Sequence, residues 1–104
     1  MNTPSIFIGG RQTINPEEVI RLQADVNYTQ VFFADGKKIV VATTLKALES
    51  RFRGNPKFFR ISRSLIINID SIKQINDEQI IFQNGETITP SRRRKKAFFE
   101  IINN

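Results

Sequence analysis

The stretch that decides the fold is FFRISRSLIIN, residues Phe58–Asn68. Its two apolar segments are interrupted by three polar residues, Ser62, Arg63 and Ser64. Apolar runs of this length, separated by a polar break, are typical of two strands joined by a turn. The arginine at the break is therefore expected to be exposed. Asn68 lies inside the second apolar run, where a polar side chain more often bonds buried backbone groups than a ligand.

Most of the chain on either side has the same strand-like patterning. The second apolar segment of this stretch occupies residues 65–69. Further runs of this kind occur at residues 5–8, 12–14, 19–24, 28–33, 38–42, 71–75, 79–82 and 86–89. The run at 12–14 is expected to continue the first strand beyond Gly9 and Gly10. Asp35-Gly36 and Asn84-Gly85 each predict a tight hairpin turn, because such turns require a residue with positive φ.

Two short helices are predicted among these strands. Thr43 or Thr44 can cap a helix over about 45–52, whose two leucines and final phenylalanine fall on one face. Ser91 can cap a second helix over about 92–102, where apolar residues recur at helical spacing. No repeat or linker is visible, so residues 1–104 are expected to form one mainly β domain.

The positive charge of the chain is local. Sixteen lysines and arginines against ten acids give a net charge of +6. Five cations and no acid lie in 51–63, and five consecutive cations lie in 92–96. The other six cations and the ten acids leave the rest of the chain at −4. Two basic segments on an acidic body indicate a polyanionic partner.

Several classes of function are disfavoured by composition. The chain has neither cysteine nor histidine, so thiolate nucleophiles and the commonest general base and metal ligand are absent. A nuclease using Mg²⁺ needs clustered carboxylates, whereas Asp70, Asp77 and Glu78 stand in or beside turns without a ligand motif. No secretory signal or membrane-spanning run is visible. We expect a cytoplasmic protein that is not an enzyme and needs no cofactor.

Several segments together resemble the LytTR family of bacterial DNA-binding domains. The segments are Phe58–Asn68, Ile72 with Ile75, Asn84-Gly85, and Ile88-Thr89-Pro90-Ser91-Arg92-Arg93. Earlier segments agree, namely a strand ending at Asn27-Tyr28-Thr29, a hairpin, and the helix starting Leu45-Lys46-Ala47-Leu48. The resemblance covers about residues 5–102.

The resemblance implies an elongated arrangement of short antiparallel sheets that presents loops to DNA. Family members are effector domains of response regulators in two-component systems, reading successive major grooves with connecting contacts across a minor groove. By position, Tyr28 matches a contact in the first loop, Arg63 a contact in the second, and Arg92 a contact in the third. Many members have histidine where this chain has Ser62, so any contact made by an imidazole is lost here.

Physical chemistry independently supports some of these positions. Arg92 can bond guanine O6 and N7 together, and the cations that follow it can neutralise phosphates. Ser62 can donate to a phosphate or cap its turn, and Tyr28 can contact DNA or pack against the sheet, with Asn27 and Gln30 as nearby alternatives. The candidate DNA-binding residues are Asn27, Tyr28, Arg60, Ser62, Arg63, Ser91, Arg92, Arg93, Arg94, Lys95 and Lys96.

The leading hypothesis is a sequence-specific regulator that binds double-stranded DNA. We expect repeated sites and a weak or DNA-assisted homodimer, with no membrane contact. The alternative is an RNA or single-strand module, in which Phe58 and Phe59 would stack on bases; in a β domain these rings more often belong to the core. A module that binds an acidic protein surface is a further alternative.

Overall fold

A computed structural model of the chain describes residues 5–76, 78–90, 93, 96, 98 and 100. Within these residues the chain forms short strands and one α-helix with defined ends. The elements are β1 (Ile6–Gly9), β2 (Gln12–Ile14), β3 (Val19–Asp25), β4 (Tyr28–Phe33), β5 (Lys38–Val41), α1 (Leu45–Arg51), β6 (Phe58–Ser62), β7 (Leu65–Asn68), β8 (Ile72–Ile75), β9 (Ile80–Phe82) and β10 (Thr87–Ile88). Short 3-10 turns at Pro16–Glu18 and Ile69–Ser71 precede β3 and β8.

The described strands form three antiparallel sheets, of which the largest is central. The central sheet has five strands in the order β5-β4-β3-β7-β6, β1 pairs with β2, and the third sheet has the order β10-β9-β8. The principal-axis extents are 39 × 34 × 25 Å, so the molecule is moderately elongated. The prediction of a mainly β fold built from short antiparallel sheets is confirmed.

Each face of the central sheet carries its own hydrophobic core. On one face, α1 and the β1–β2 hairpin cover a core that includes Leu22, Val31, Leu48 and Ile66. On the other face, residues of the β8–β10 sheet and the terminal segment complete a second core. Its buried members are Ile20, Ile61, Ile67, Ile80, Phe82 and Phe98. Because successive strand residues point to opposite faces, β3 and β7 supply both cores.

The adjacent rings of β6 are divided between the two cores. Phe58 packs against Phe52 at the end of α1, with ring centroids 4.6 Å apart. Phe59 packs on the other face against Phe98, at 5.6 Å. The expectation that these rings belong to the core is confirmed, and the two-sided sheet explains how two neighbours can both be covered.

The first predicted helix is found almost where it was expected. Thr44 is its N-cap, since its hydroxyl accepts a hydrogen bond from the Ala47 amide at 3.2 Å, and Phe52 is the C-cap. In the terminal segment, Arg93, Lys96, Phe98 and Glu100 are helical. The ends of the helix predicted over 92–102 lie outside the described residues.

One expectation about the strands is wrong. Residues 12–14 do not continue β1 but fold back on it as β2, with Ile6 opposite Ile14. Gly9, Gly10 and Arg11 all have positive φ, at 110°, 59° and 63°, which reverses the chain. The two predicted hairpin turns are confirmed, and their glycines also have positive φ.

Candidate nucleic-acid interface

Two turns of the central sheet lie side by side at one end of it. They are the β3–β4 turn at Val26-Asn27 and the β6–β7 turn at Arg63-Ser64. The Ala24 amide donates to the Ser64 carbonyl at 2.8 Å, which joins the end of β3 directly to the second turn. Residues that are far apart in sequence therefore form one edge of the molecule.

The β5–α1 connection and the β1–β2 turn reach the same end. The Thr29 hydroxyl, at the start of β4, donates to the Thr43 carbonyl at 2.6 Å. The Thr43 hydroxyl in turn donates to the Ile8 carbonyl at 2.7 Å, next to the reversal at Gly9. A β-carbon on Gly9 would overlap the Thr43 hydroxyl oxygen, so this close packing requires glycine. We call the edge formed by these four segments the turn end.

The β3–β4 turn projects its side chains into solvent. Val26 is 91% exposed and Tyr28 is 51% exposed, and Asn27 between them is also exposed. Below the turn, the Gln30 side-chain amide donates to the Asp25 carboxylate at 2.9 Å. Two of the predicted contact residues, Asn27 and Tyr28, are thus available for a ligand, while Gln30 is engaged.

The half-buried side chain of Arg60 holds the neighbouring β6–β7 turn through hydrogen bonds to its backbone. Its Nε donates to the Ser62 carbonyl at 3.1 Å and one terminal nitrogen donates to the Arg63 carbonyl at 2.7 Å. The other terminal nitrogen forms an ion pair with Glu49 on α1 at 2.7 Å. Since each guanidinium nitrogen has a protein acceptor, this geometry favours a supporting role for Arg60 over the predicted DNA contact.

The β6–β7 turn itself leaves one cation free. The Ser62 hydroxyl accepts a hydrogen bond from the Ser64 amide at 3.2 Å, which closes the turn. Arg63 is exposed, and its guanidinium has no hydrogen bond or ion pair within the described part of the chain. Of the two predicted contacts in this turn, Ser62 shapes the backbone and Arg63 points its charge outward.

The fold places two further cations at the turn end, neither of which was predicted from the sequence as a DNA contact. Arg11 is exposed at the tip of the β1–β2 turn, and Lys46 is exposed in the first turn of α1. Neither is recorded in an ion pair within residues 5–76 and 78–90. Both lie outside the two basic segments, and only the long-range contacts of Thr43 bring them to the turn end. The one local signal was Gly9-Gly10, a sign of a reversal next to Arg11.

An ion pair between a buried arginine and a half-buried glutamate attaches the three-stranded sheet to the central sheet. Arg21 on β3 is 8% exposed, forms an ion pair with Glu86 at 2.8 Å, and its guanidinium carbon lies 3.7 Å from the Phe32 ring centroid. Burial raises the pKa of Glu86, but hydrogen bonds from Arg21 and Asn84 and the charge of Arg21 outweigh it, so the pKa is lowered. The pair fixes the position of the β9–β10 hairpin, which leads to the terminal segment.

The described residues of the terminal segment include one buried ring and two exposed cations. Phe98 is buried in the second core, whereas Arg93 and Lys96 are exposed. The other candidate residues of this segment lie outside the described residues: Ser91, Arg92, Arg94 and Lys95.

The opposite end of the central sheet has a different character. An open groove of about 970 Å³ lies there, lined by residues that include Pro16, Phe58 and Ser71. Asn68 is 3% exposed and donates to the Val19 carbonyl at 2.8 Å while accepting from the Asp70 amide at 3.0 Å. Its predicted role in satisfying buried backbone groups is confirmed. We call this edge the groove end.

Exposed cations on turns at one end of a β sheet are typical of nucleic-acid-binding domains. The family model of the LytTr DNA-binding domain matches residues 10–103, and the chain therefore belongs to the LytTR family of DNA-binding domains. This is a family of DNA-binding regulators, not of enzymes.

A solved structure has the same fold. The chain is similar to the LytTr DNA-binding domain of a protein described as a methyl-accepting/DNA response regulator from Bacillus cereus. The TM-score is 0.76 at 19% sequence identity, over 100% of this chain and 99% of that one. No curated protein matches the chain. Among the described residues, no helix is long and apolar enough to span a membrane.

Proposed function

We propose that this domain is a transcription regulator that binds a specific double-stranded DNA sequence through its turn end and its terminal basic segment. The observation that carries the proposal is the placement of the exposed Arg11, Lys46 and Arg63 on segments that meet at the turn end, together with the exposed β3–β4 turn. These cations are separate in sequence and lack acidic partners in the described part of the chain. Cations placed at one end of the molecule without acidic partners do not stabilise the fold, whereas they can bind the phosphates of a nucleic acid.

In this proposal the turns have different tasks. The β3–β4 turn, with Asn27 and Tyr28, and the segment around Arg92 enter successive major grooves. Arg63 makes the connecting contact between them, and Arg11, Lys46 and the terminal cations bind phosphates. Hydrogen bonds to phosphates position the protein, and side chains that reach base edges supply the sequence preference. Arg60 holds the backbone of the Arg63 turn in place.

Double-stranded DNA fits the geometry better than a single strand. Proteins that bind single strands present aromatic rings on which bases stack. Phe58 and Phe59 are instead packed into the two cores. The four segments of the turn end also present separate points along one edge of the molecule, which suits a grooved duplex. We further propose repeated sites occupied by weakly associating copies, in a cytoplasmic regulator.

Selection of binding sites from a random duplex pool tests the proposal directly. The selected sequence is then compared, across a salt titration, with a scrambled duplex, each separate strand and the matching RNA. We expect the selected duplex to bind most tightly and the affinity to fall steeply with salt. Equal affinity for the duplex and its single strands would contradict the proposal.

A pair of variants in the terminal segment separates base reading from phosphate binding. Arg92→Ala is expected to cost about 1–3 kcal/mol on the selected site and to relax one base preference. Lys96→Ala is expected to weaken specific and scrambled duplexes alike. If Arg92→Ala left the ratio of specific to scrambled binding unchanged, Arg92 would have no role in reading bases.

A further inference from the structure

Val26 occupies a position that folding stability does not favour. It is the first central residue of the β3–β4 turn and has a φ of 57°. Positive φ is strained for a β-branched residue, and glycine, asparagine or aspartate normally occupy such positions. The side chain is also 91% exposed, so it buries little apolar surface within the protein and contributes little to folding stability. A strained, exposed valine is a reason to look for a function of its isopropyl group.

The turn that carries Val26 is firmly held. The β3–β4 pairing remains in register up to the last pair, Asp25 opposite Tyr28. The side-chain amide of Gln30, two residue pairs away from the last pair, donates to the Asp25 carboxylate and holds it beside the turn. The apolar group of Val26 is therefore displayed at a fixed position at the turn end, next to Asn27 and the exposed cations.

We propose that Val26 contacts the 5-methyl group of a thymine in the major groove and thereby selects for thymine at one position of the site. This inference rests on the proposed function. The thymine methyl is the apolar feature of the major-groove edge, where the other groups are hydrogen-bond donors and acceptors. An isopropyl group forms no favourable contact with a charged phosphate. Against a methyl group, however, it buries apolar surface, which lowers the free energy of binding.

The experiment replaces each thymine of the selected duplex, one at a time, by deoxyuridine. This change removes the 5-methyl group and keeps the base pair. For the wild-type domain we expect one position at which the loss is on the order of fourfold, the equivalent of roughly 0.8 kcal/mol for one buried methyl-sized group. A wild-type domain that binds the selected duplex specifically but loses no affinity at any substituted thymine overturns the inference and leaves the proposed function standing.

Val26→Asn is the informative variant. Asparagine tolerates positive φ and keeps a side chain on the turn but has no methyl group. We expect this variant to bind thymine and deoxyuridine duplexes equally at that position while its Tm rises by a few degrees, because the strain is relieved. Val40→Thr is the matched control: Val40 is 51% exposed on β5 and lies within a regular strand, so the variant should keep the wild-type fourfold difference.

Two further outcomes bear on the inference. If Val26→Asn retains the wild-type discrimination against deoxyuridine, another residue reads the methyl group and the inference is overturned. If sedimentation shows that Val26→Asn abolishes self-association while its thymine preference stays intact, the exposed valine contacts a second copy instead. A wild-type domain with no preference for any duplex sequence contradicts the proposed function as well, so the two failures are distinguishable.

Discussion

The two ends of the central sheet use the same kinds of residues in opposite ways. At the groove end, Asn68 is buried with its side-chain amide bonded on both sides, and Lys57 is paired with Asp70 at 3.2 Å. At the turn end, Asn27 and Arg63 are exposed and their side chains have no such partner among the described residues. Asparagine and cationic side chains thus stabilise the fold at the groove end, whereas at the turn end they are exposed and can contact a ligand.

This difference shows that composition alone cannot locate the interface. The basic segment 51–63 runs from one end of the sheet to the other, so its five cations do not share one environment. Arg60 is used to hold a turn, and Lys57 is used in an ion pair. What distinguishes a candidate DNA contact is an exposed position at the turn end without an internal acceptor.

The largest expected effect is on folding, from a matched pair of asparagine variants. Asn68→Ala should lower the free energy of unfolding by roughly 1–3 kcal/mol, because the buried Val19 carbonyl loses the shorter of its two side-chain hydrogen bonds and the Asp70 amide loses its acceptor. Asn27→Ala, at an exposed site, should change it by less than about 0.5 kcal/mol. Urea unfolding measures both. Equal destabilisation by the two variants would remove the contrast between the ends.

The next effect is on DNA affinity, from a matched pair of arginine variants in one basic segment. Arg63→Ala at the turn end should lose on the order of tenfold for the selected duplex, about 1.4 kcal/mol. Arg53→Ala, exposed beyond the far end of α1, should lose little. Fluorescence anisotropy at one salt concentration is sufficient. A comparable loss for Arg53→Ala would mean that the whole segment binds DNA.

A smaller effect is expected from the phosphate contacts. Arg11→Ala and Lys46→Ala should each reduce the slope of log affinity against log salt concentration by about 0.9, since each removes one released counterion. Lys57→Ala, at the groove end, should leave the slope unchanged. Titrations with selected and scrambled duplexes should give the same reduction for both. A slope unaffected by Arg11→Ala would place the β1–β2 turn outside the interface.

The smallest effect concerns the pH dependence of stability through Glu86. Its pKa is lowered in the folded state, so the stabilisation it contributes is complete above the pKa of an unfolded glutamate, about 4.3, and is lost as the pH falls through the folded pKa. Glu86→Gln should therefore reduce the loss of stability between pH 7 and pH 3. Urea unfolding at both pH values tests this. An unchanged pH dependence would show that the ion pair makes no net contribution.

Local patterns were enough to predict much of the fold. The alternation of apolar residues identified the strands, Gly36 and Gly85 identified two turns, and Thr44 with two leucines identified α1. The reversal between β1 and β2 was missed because Arg11, a residue that seldom has positive φ, completes it. Gly9-Gly10 is a local sign of a reversal, but the sequence does not show that Arg11 takes part in it with positive φ.

The candidate site was predictable where one turn supplied the residues. Asn27, Tyr28 and Arg63 lie in turns whose exposure follows from polar breaks between strands. The role of Arg60 was not predictable, because it depends on Glu49 in another element. Arg11 and Lys46 join the site only through contacts between distant segments. The full set of candidate residues thus depends on contacts between distant segments, and the local density of charge in the sequence does not identify it.

The hydrogen bond from Ala24 to Ser64 has a consequence for folding kinetics. β3 pairs with its neighbour β4 through a two-residue turn, but it pairs with β7 only after a long loop has closed. Local hairpins generally form faster than pairings between distant segments. The two adjacent turns are therefore expected to meet only in a late step. The rate at which the Ala24 amide becomes protected from hydrogen exchange should report when the chain completes its turn end, the proposed DNA-binding surface.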